Sequence, residues 1–437
     1  MSPTTQALIY AELLSNIGQI SVIVALDAPC GDSTKAELSA DGRQFILYHD
    51  GNAFTLNLPG QAVLVQLQKP VPGNKELSWR IPIAGQATRA SIEDSQSNEA
   101  PWSAKELSED AEFACRNCAA IILKKGTIKV WKDLPSENWA EMMEFWHCHK
   151  PAVPAEEANG SNWRGHVHHY QTASSKGYGA SSRFIASKSV GLIDLTTFLL
   201  TSNDCTNIEA VPSPISDPAS ILCKSCHRNI GREDPQSDGI RLFKWSLTLL
   251  SSSPPSFDNP SLAVLLSSQC LSSSQATGVS KLILSPRPLF GGPTTTPDSS
   301  SCAESRGSSW NVSSEPTAGA TSQTGPNANS VSPSGPMLVW VFKSALYFCG
   351  GTLPLSSAHG TSSTTPKLAM KVFWKPISTN EARSLLDDGN AEELILPDEI
   401  VVEVGGILRD SACCLPPSAR KFKEWNVGLL ERYQPSH

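Results

Sequence analysis

The sequence predicts an α+β fold, mostly β: an N-terminal antiparallel β-domain, a central zinc-stapled β region with one conspicuous helix, and a C-terminal α+β region after a disordered insertion. Three observations predict it. Short runs of β-branched and aromatic residues alternate with turn signals over residues 6 to 83. Two Cys-x-x-Cys pairs, Cys115-Arg116-Asn117-Cys118 and Cys223-Lys224-Ser225-Cys226, bracket the middle of the chain. Residues 286–336 hold 32 Ser, Pro, Thr or Gly among 51 and only five charged residues, too little apolar surface to offset the entropy of ordering a chain.

In order, residues 1–110 read as the N-terminal β-domain and an acidic loop. Ile20–Val24, Gln44–Tyr48, Ala62–Val65 and Leu77–Ile81 are its expected strands, with turns at Asp41-Gly42 and Asp50-Gly51-Asn52. Residues 111–250 form the zinc-binding region. Ala119–Lys124 and Thr127–Trp131 are expected to make a hairpin across Gly126, and further strands are expected around Ser182–Leu200, at Asn229–Gly231 and at Leu242–Leu247.

Between those strands, Pro135, Ser136 and Glu137 carry helix-start signals: Pro is tolerated in a first turn, Ser caps, and Glu faces the positive dipole end. Trp139, Met142, Met143 and Trp146 then recur at i, i+3, i+4 and i+7, one apolar stripe on a helix over 135–149. The stripe either packs into a core or offers a partner-binding face. Residues 251–285 predict a short helix over 261–271 and a strand at Lys281–Leu284; after the insertion, residues 337–437 resume strands at Met337–Phe342 and Leu368–Trp374. In the tail, Phe422, Trp425, Leu429 and Leu430 are spaced helically.

With 437 residues, 40% of them hydrophobic and 18% charged, the chain can bury a sizeable core. A net charge of −7 gives no general attraction to phosphate backbones or anionic membranes, so nucleic acid and membrane partners are not expected. The start lacks a signal-peptide pattern and no run matches a spanning helix, which places the protein in the cytoplasm or nucleus rather than outside the cell. Twelve cysteines in a reducing compartment argue for metal binding or free thiols rather than disulfides.

Each Cys-x-x-Cys can grip a tetrahedral ion from a tight turn, and Cys115, Cys118, Cys223 and Cys226 together complete a four-thiolate zinc site. The long gap means the ion would join distant parts of the chain. The alternatives are two unrelated pairs or a thioredoxin-like redox motif, and the alternating apolar residues nearby do not suit the latter. His147, Cys148 and His149 between the pairs are candidates for a further metal or thiol role, whereas His166, His168 and His169 read as solvent-facing.

The stretch Leu134-Pro135-Ser136-Glu137-Asn138-Trp139, running into Phe145-Trp146-His147-Cys148-His149-Lys150-Pro151, combines rare residues in an order improbable by chance. It resembles the HECT-like ubiquitin-conjugating-enzyme-binding proteins. The likeness extends to the preceding Cys-x-x-Cys, to Cys223 and Cys226 with Gly231 and Phe243-Lys244-Trp245, and to Leu415–Arg420 with Trp425–Leu430. The resemblance implies a ubiquitin ligase or E2-binding factor that docks a ubiquitin-charged E2 and promotes transfer to a protein lysine, with E2, ubiquitin and substrate as partners. It also implies a nucleophilic cysteine. Cys413 and Cys414 are placed near the C-terminus as such a nucleophile would be, with packing or free thiols as the alternative. No nucleophile–base pair, carboxylate dyad or phosphate-binding glycine loop is visible in the residues, so a zinc-stabilised scaffold that binds a protein partner is the second reading.

Overall fold

A computed structural model describes residues 6–85, 98–134, 184–212, 218–250, 259–289, 335–353 and 365–434. The N-terminal strands are β1 (Ala7–Leu14), β2 (Gln19–Leu26), β3 (Lys35–Leu38), β4 (Gln44–His49), β5 (Asn52–Asn57) and β6 (Glu76–Pro82). Strict in–out alternation along β4 and β6 buries one face of each. Asp50 and Gly51, both at positive φ, form the two-residue turn that matches the twist of the β4–β5 hairpin. Phe45, Leu47, Phe54 and Leu56 from the sheet β3-β4-β5 pack against Ile9, Ile20, Val22 and Ile81 from the strands beneath. The expected strand at Ala62–Val65 does not form. Only Ala62 bridges, to Ile83, and Val63, Leu64 and Val65 are exposed, so pairing there would bury no apolar face.

The central region holds β7 (Glu112–Cys115), β8 (Ile121–Leu123), β9 (Val130–Asp133), β10 (Val190–Ile193), β11 (Thr197–Leu200), β12 (Ile208–Val211), β13 (Ser220–Cys223), β14 (Asn229–Asp234), β15 (Gly239–Phe243) and β16 (Leu247–Leu250). Among the described residues they form two sheets, β12-β13-β14-β15-β11-β10-β9 and β16-β7-β8. Trp102, Phe113, Trp131 and Phe198 fill the space between them. The hairpin expected across Gly126 is not there: β8 pairs with β7, while β9 runs parallel to β10 in the other sheet. Lys129 donates its N–H to Ser189 O, so the segment after Gly126 carries the chain between sheets. Trp131 lies so close over Gly191 that a Cβ there would come within 2.3 Å of its ring.

Next come α1 (Leu262–Thr277), β17 (Lys281–Ser285), β18 (Met337–Leu353), β19 (Lys367–Pro376), α2 (Thr379–Asp387), β20 (Glu392–Ile395), α3 (Asp398–Ser411), β21 (Lys421–Phe422) and β22 (Trp425–Glu431). The helix expected over 261–271 extends to Thr277, capped by the Ser261 hydroxyl at one end and stopped by Gly278 at positive φ. A nine-stranded sheet runs β21-β22-β19-β18-β1-β2-β6, with β17 paired to β18 and β20 paired in turn to β17. The long β18 is its spine: one end pairs with β17 and the other with β1, so N- and C-terminal parts of the chain share one sheet. Leu265, Leu266, Val401, Val404 and Leu408 of α1 and α3 cover one face, and Ala382 of α2 with Leu415 covers part of the other. Near the start of the compositional insertion, Leu289 is buried and its N–H donates to Glu393.

The C-terminal tail corrects the periodicity reading. Phe422, Trp425, Leu429 and Leu430 lie on a hairpin rather than a helix. Both faces of β22 are buried, Trp425 and Leu429 on one side and Leu430 on the other, and two buried faces imitate helical spacing. The expected helix over 135–149 lies outside the described residues, as do most of the insertion and the His166, His168 and His169 group.

Candidate metal centre and thiol sites

The two Cys-x-x-Cys turns share one geometry. Cys115 ends β7 and Cys223 ends β13. In the first turn Cys115 O accepts from Ala119 N and Cys115 N donates to Ala120 O; in the second Cys223 O accepts from His227 N and Cys223 N donates to Arg228 O. Ala119 and His227, each following its second cysteine, both sit at positive φ, which turns the chain back on itself and aims both sulfurs the same way.

Tertiary contacts bring the turns together. Asn207 accepts from Lys224 N with its carbonyl and donates from its side chain to Ile121 O at 2.8 Å, linking the second turn to the strand after the first. Arg116, inside the first turn, donates to Leu247 O at 3.0 Å and Pro260 O at 3.1 Å. The result is a cluster in which all four sulfurs lie within 4.8 Å of one another. Cys115 and Cys226 stand 3.7 Å apart, and Cys118 and Cys223 3.6 Å. Four sulfurs bound at about 2.3 Å to one tetrahedral ion would be separated by about 3.8 Å, so the donor set and spacing fit a four-thiolate metal ion.

The thiols start from unequal positions. Burial pushes Cys115 up to about 12. Burial also pushes Cys226 up, but the Arg228 N–H and the Asn117 side chain outweigh it and bring this thiol down to about 6. Ionising all four places like charges together, which only a cation at the centre compensates.

The C-terminal thiols are different. Cys413 and Cys414 lie in a single 3-10 turn after α3. Cys413 is exposed, its carbonyl accepting from Arg420 at 3.4 Å. Cys414 is partly buried, donates to Ser411 O at 2.9 Å, and burial pushes it up to about 11, opposite to what a relay thiolate needs. Trp139, Met142, Met143, Trp146, His147, Cys148 and His149 lie outside the described residues.

A third constellation was missed by sequence reasoning. Lys244 is fully buried, donates to Pro101 O at 2.9 Å and lies 5.3 Å from the Phe198 ring centre. Burial pushes its ammonium down to about 7 against the pull of Asp194, Asp133 and Glu106. A lysine inside an aromatic run, Phe243-Lys244-Trp245, was the available signal.

Against this geometry, the family model of HECT-like Ubiquitin-conjugating enzyme (E2)-binding proteins matches residues 12–427. The chain belongs to that family. The E2-binding family match spans both cysteine turns, the Lys244 region and the Cys413-Cys414 turn. An uncharacterised protein of Saccharomyces cerevisiae is 28% identical over 183 residues, 41% of this chain and 46% of that protein. One of Schizosaccharomyces pombe is 40% identical over 53 residues, 11% of this chain and 15% of that protein. The chain thus spans less than half the length of either relative. No solved structure matches it.

Proposed function

We propose that this member of the E2-binding family docks a ubiquitin-charged E2 and promotes ubiquitin transfer to a protein lysine. The family match over 12–427 carries the reading. In it, Cys115, Cys118, Cys223 and Cys226 hold a zinc ion, which supplies a structural cross-link between the central sheets. The closed donor set leaves no position for a catalytic water, so zinc fixes the docking frame and takes no part in transfer. The apolar stripe of Trp139, Met142, Met143 and Trp146 supplies the E2-facing surface. Cys413 is the accessible thiol if transfer passes through a thioester, and Arg420 beside it contributes positive charge. A cytoplasmic or nuclear setting keeps all these thiols reduced.

The test is single-turnover discharge from a panel of ubiquitin-charged E2 enzymes, resolved on reducing and non-reducing gels. Wild type is expected to accelerate discharge, and Trp139→Ala/Trp146→Ala to lose E2 binding while keeping its fold. A reducible ubiquitin adduct lost in Cys413→Ser identifies the relay cysteine. A second reading, a scaffold that binds a protein partner without transferring ubiquitin, is favoured by the raised thiol of Cys414. E2 binding with no stimulated discharge on any E2 would establish it.

A further inference from the structure

A cavity of about 540 Å³ opens at the seam between the zinc-region sandwich and α1. The loop at 98–106, the end of β9, the β10–β11 turn and Lys244 form one side, and Gln269, Ser272 and Gln275 of α1 with Tyr433 form the other. Two of the stretches on which the family likeness rests reach it, one at Leu134 and one at Lys244. Clefts of this size between packed units are where small ligands and single side chains lodge.

The lining decides the sign of its occupant. Asp194 already pairs with Arg241 at 3.4 Å, which leaves three carboxylates, Glu99, Glu106 and Asp133, facing two lysines, Lys105 and Lys244. Asn98 Oδ1 is buried on the same wall and accepts no hydrogen bond among the described residues. A buried acceptor left unpaired costs free energy until a donor fills it. An anion would meet the carboxylates at close range, whereas a cationic donor satisfies both the charge and the vacant acceptor.

Lys244 then acts as the counterweight. As an ammonium it has three N–H groups, of which one finds an acceptor among the described residues. The charged or ionisable groups around it are Glu99, Glu106 and Lys105 from the loop, Asp133 from β9, Asp194 from the β10–β11 turn with its partner Arg241 of β15, and Tyr433 from the tail, whose hydroxyl donates to Glu106. When the pocket is empty, the lysine partly neutralises these carboxylates. A cation entering takes over that role, and Lys244 gives up its proton and offers a lone pair.

We propose that this cavity binds an alkylammonium or guanidinium group, as carried by a lysine or arginine side chain of a protein partner, in exchange for the Lys244 proton. This does not depend on ubiquitin transfer. Burial already holds Lys244 near neutrality, so the exchange falls within an accessible pH range.

The experiment is calorimetric titration of the full zinc-loaded chain with the tripeptide acetyl-Ala-Lys-Ala-amide, with n-butylammonium, and with acetyl-Ala-norleucine-Ala-amide as the uncharged control. The lysine peptide is expected to bind several-fold more tightly at pH 8 than at pH 6, with close to one proton released per peptide at pH 6 and little at pH 8, and with the control silent. Glu99→Gln, at an exposed rim position, should weaken it about threefold without lowering the melting temperature. Lys244→Met should bind at both pH values with the pH dependence gone. Peptide binding tighter than n-butylammonium assigns the site to a protein side chain; equal affinities assign it to a free small cation. Binding of the norleucine control as strongly as the lysine peptide, or of phosphate in place of either cation, overturns the proposal. So does an absence of heat with both cations at about 50 mM, about tenfold above the dissociation constant expected of a weak single-group site.

Discussion

Ala119 and His227 occupy equivalent places in their two turns, each in the left-handed region that costs an L-residue about 1–2 kcal/mol. Glycine would remove that cost but has more freedom to lose on folding, about 0.5–1 kcal/mol. His227→Gly should therefore raise stability by about 0.5 kcal/mol, read as a higher denaturant midpoint with unchanged metal content. Lys244 gives a second residue-scale prediction. Its folded value near 7 lies below its unfolded one, so between about pH 7 and 10 the unfolded chain binds the extra proton and stability rises with pH. Below about pH 7 the penalty is fully present. The difference between wild type and Lys244→Met in denaturant melts should show this rise, with a slope approaching about 1.4 kcal/mol per pH unit. A flat difference would mean the lysine stays charged in the fold. The sequence displayed both cysteine pairs plainly, because ligand spacing within a turn is local. Lys244 was marked only by its place in the aromatic run Phe243-Lys244-Trp245; its burial depends on Phe198 and Pro101, far away in the chain, and so was not legible.

Among the elements, the two cysteine turns are predicted to stand or fall together. Cys223→Ser removes one shared ligand, and the free energy of metal binding is part of that of folding. Hydrogen exchange should therefore speed up around Cys115 as well as Cys226, and stripping the metal with a chelator should do the same. Exchange confined to the mutated turn would show that the pairs bind nothing in common. A second prediction concerns the connection between β17 and β18, whose ends are already paired, Leu284 opposite Met337. Replacing residues 290–334 with a short Gly/Ser link should leave the melting temperature within a few degrees, since closure entropy varies slowly with loop length. Strands with one buried face, β4 and β6, were legible from alternation, and α1 from its apolar run. β22 was misread because both of its faces are buried.

For the whole molecule, the nine-stranded sheet makes the two ends of the chain interdependent. Glu12 on β1 meets Lys371 on β19 at 2.8 Å across β18, with Tyr10 donating to the same carboxylate. Burial pushes the Glu12 carboxyl up, but Lys371, Tyr10 and Lys343 outweigh it and hold the group below its usual range. Its contribution to stability is thus present above the ordinary carboxylate range and lost as pH falls through the lowered value. Lys371→Met removes the ion-pair partner of this buried carboxylate, leaving it the Tyr10 hydroxyl, and should cost about 3 kcal/mol at neutral pH, with acid unfolding shifted to higher pH. Probes on β1 and β22 should report one transition. Two separate transitions would show that the shared sheet does not couple the ends.

By itself the sequence determined the mostly-β character, the thiolate pairs and the family, since each rests on residue types at short spacing. Only the tertiary structure decided that the four sulfurs converge, that β18 stitches the two ends into one sheet, and that Lys244 is enclosed beside an acidic cavity. Those outcomes depend on which distant strands pair and which side chains are cut off from water, and neither is encoded in any local stretch of the chain.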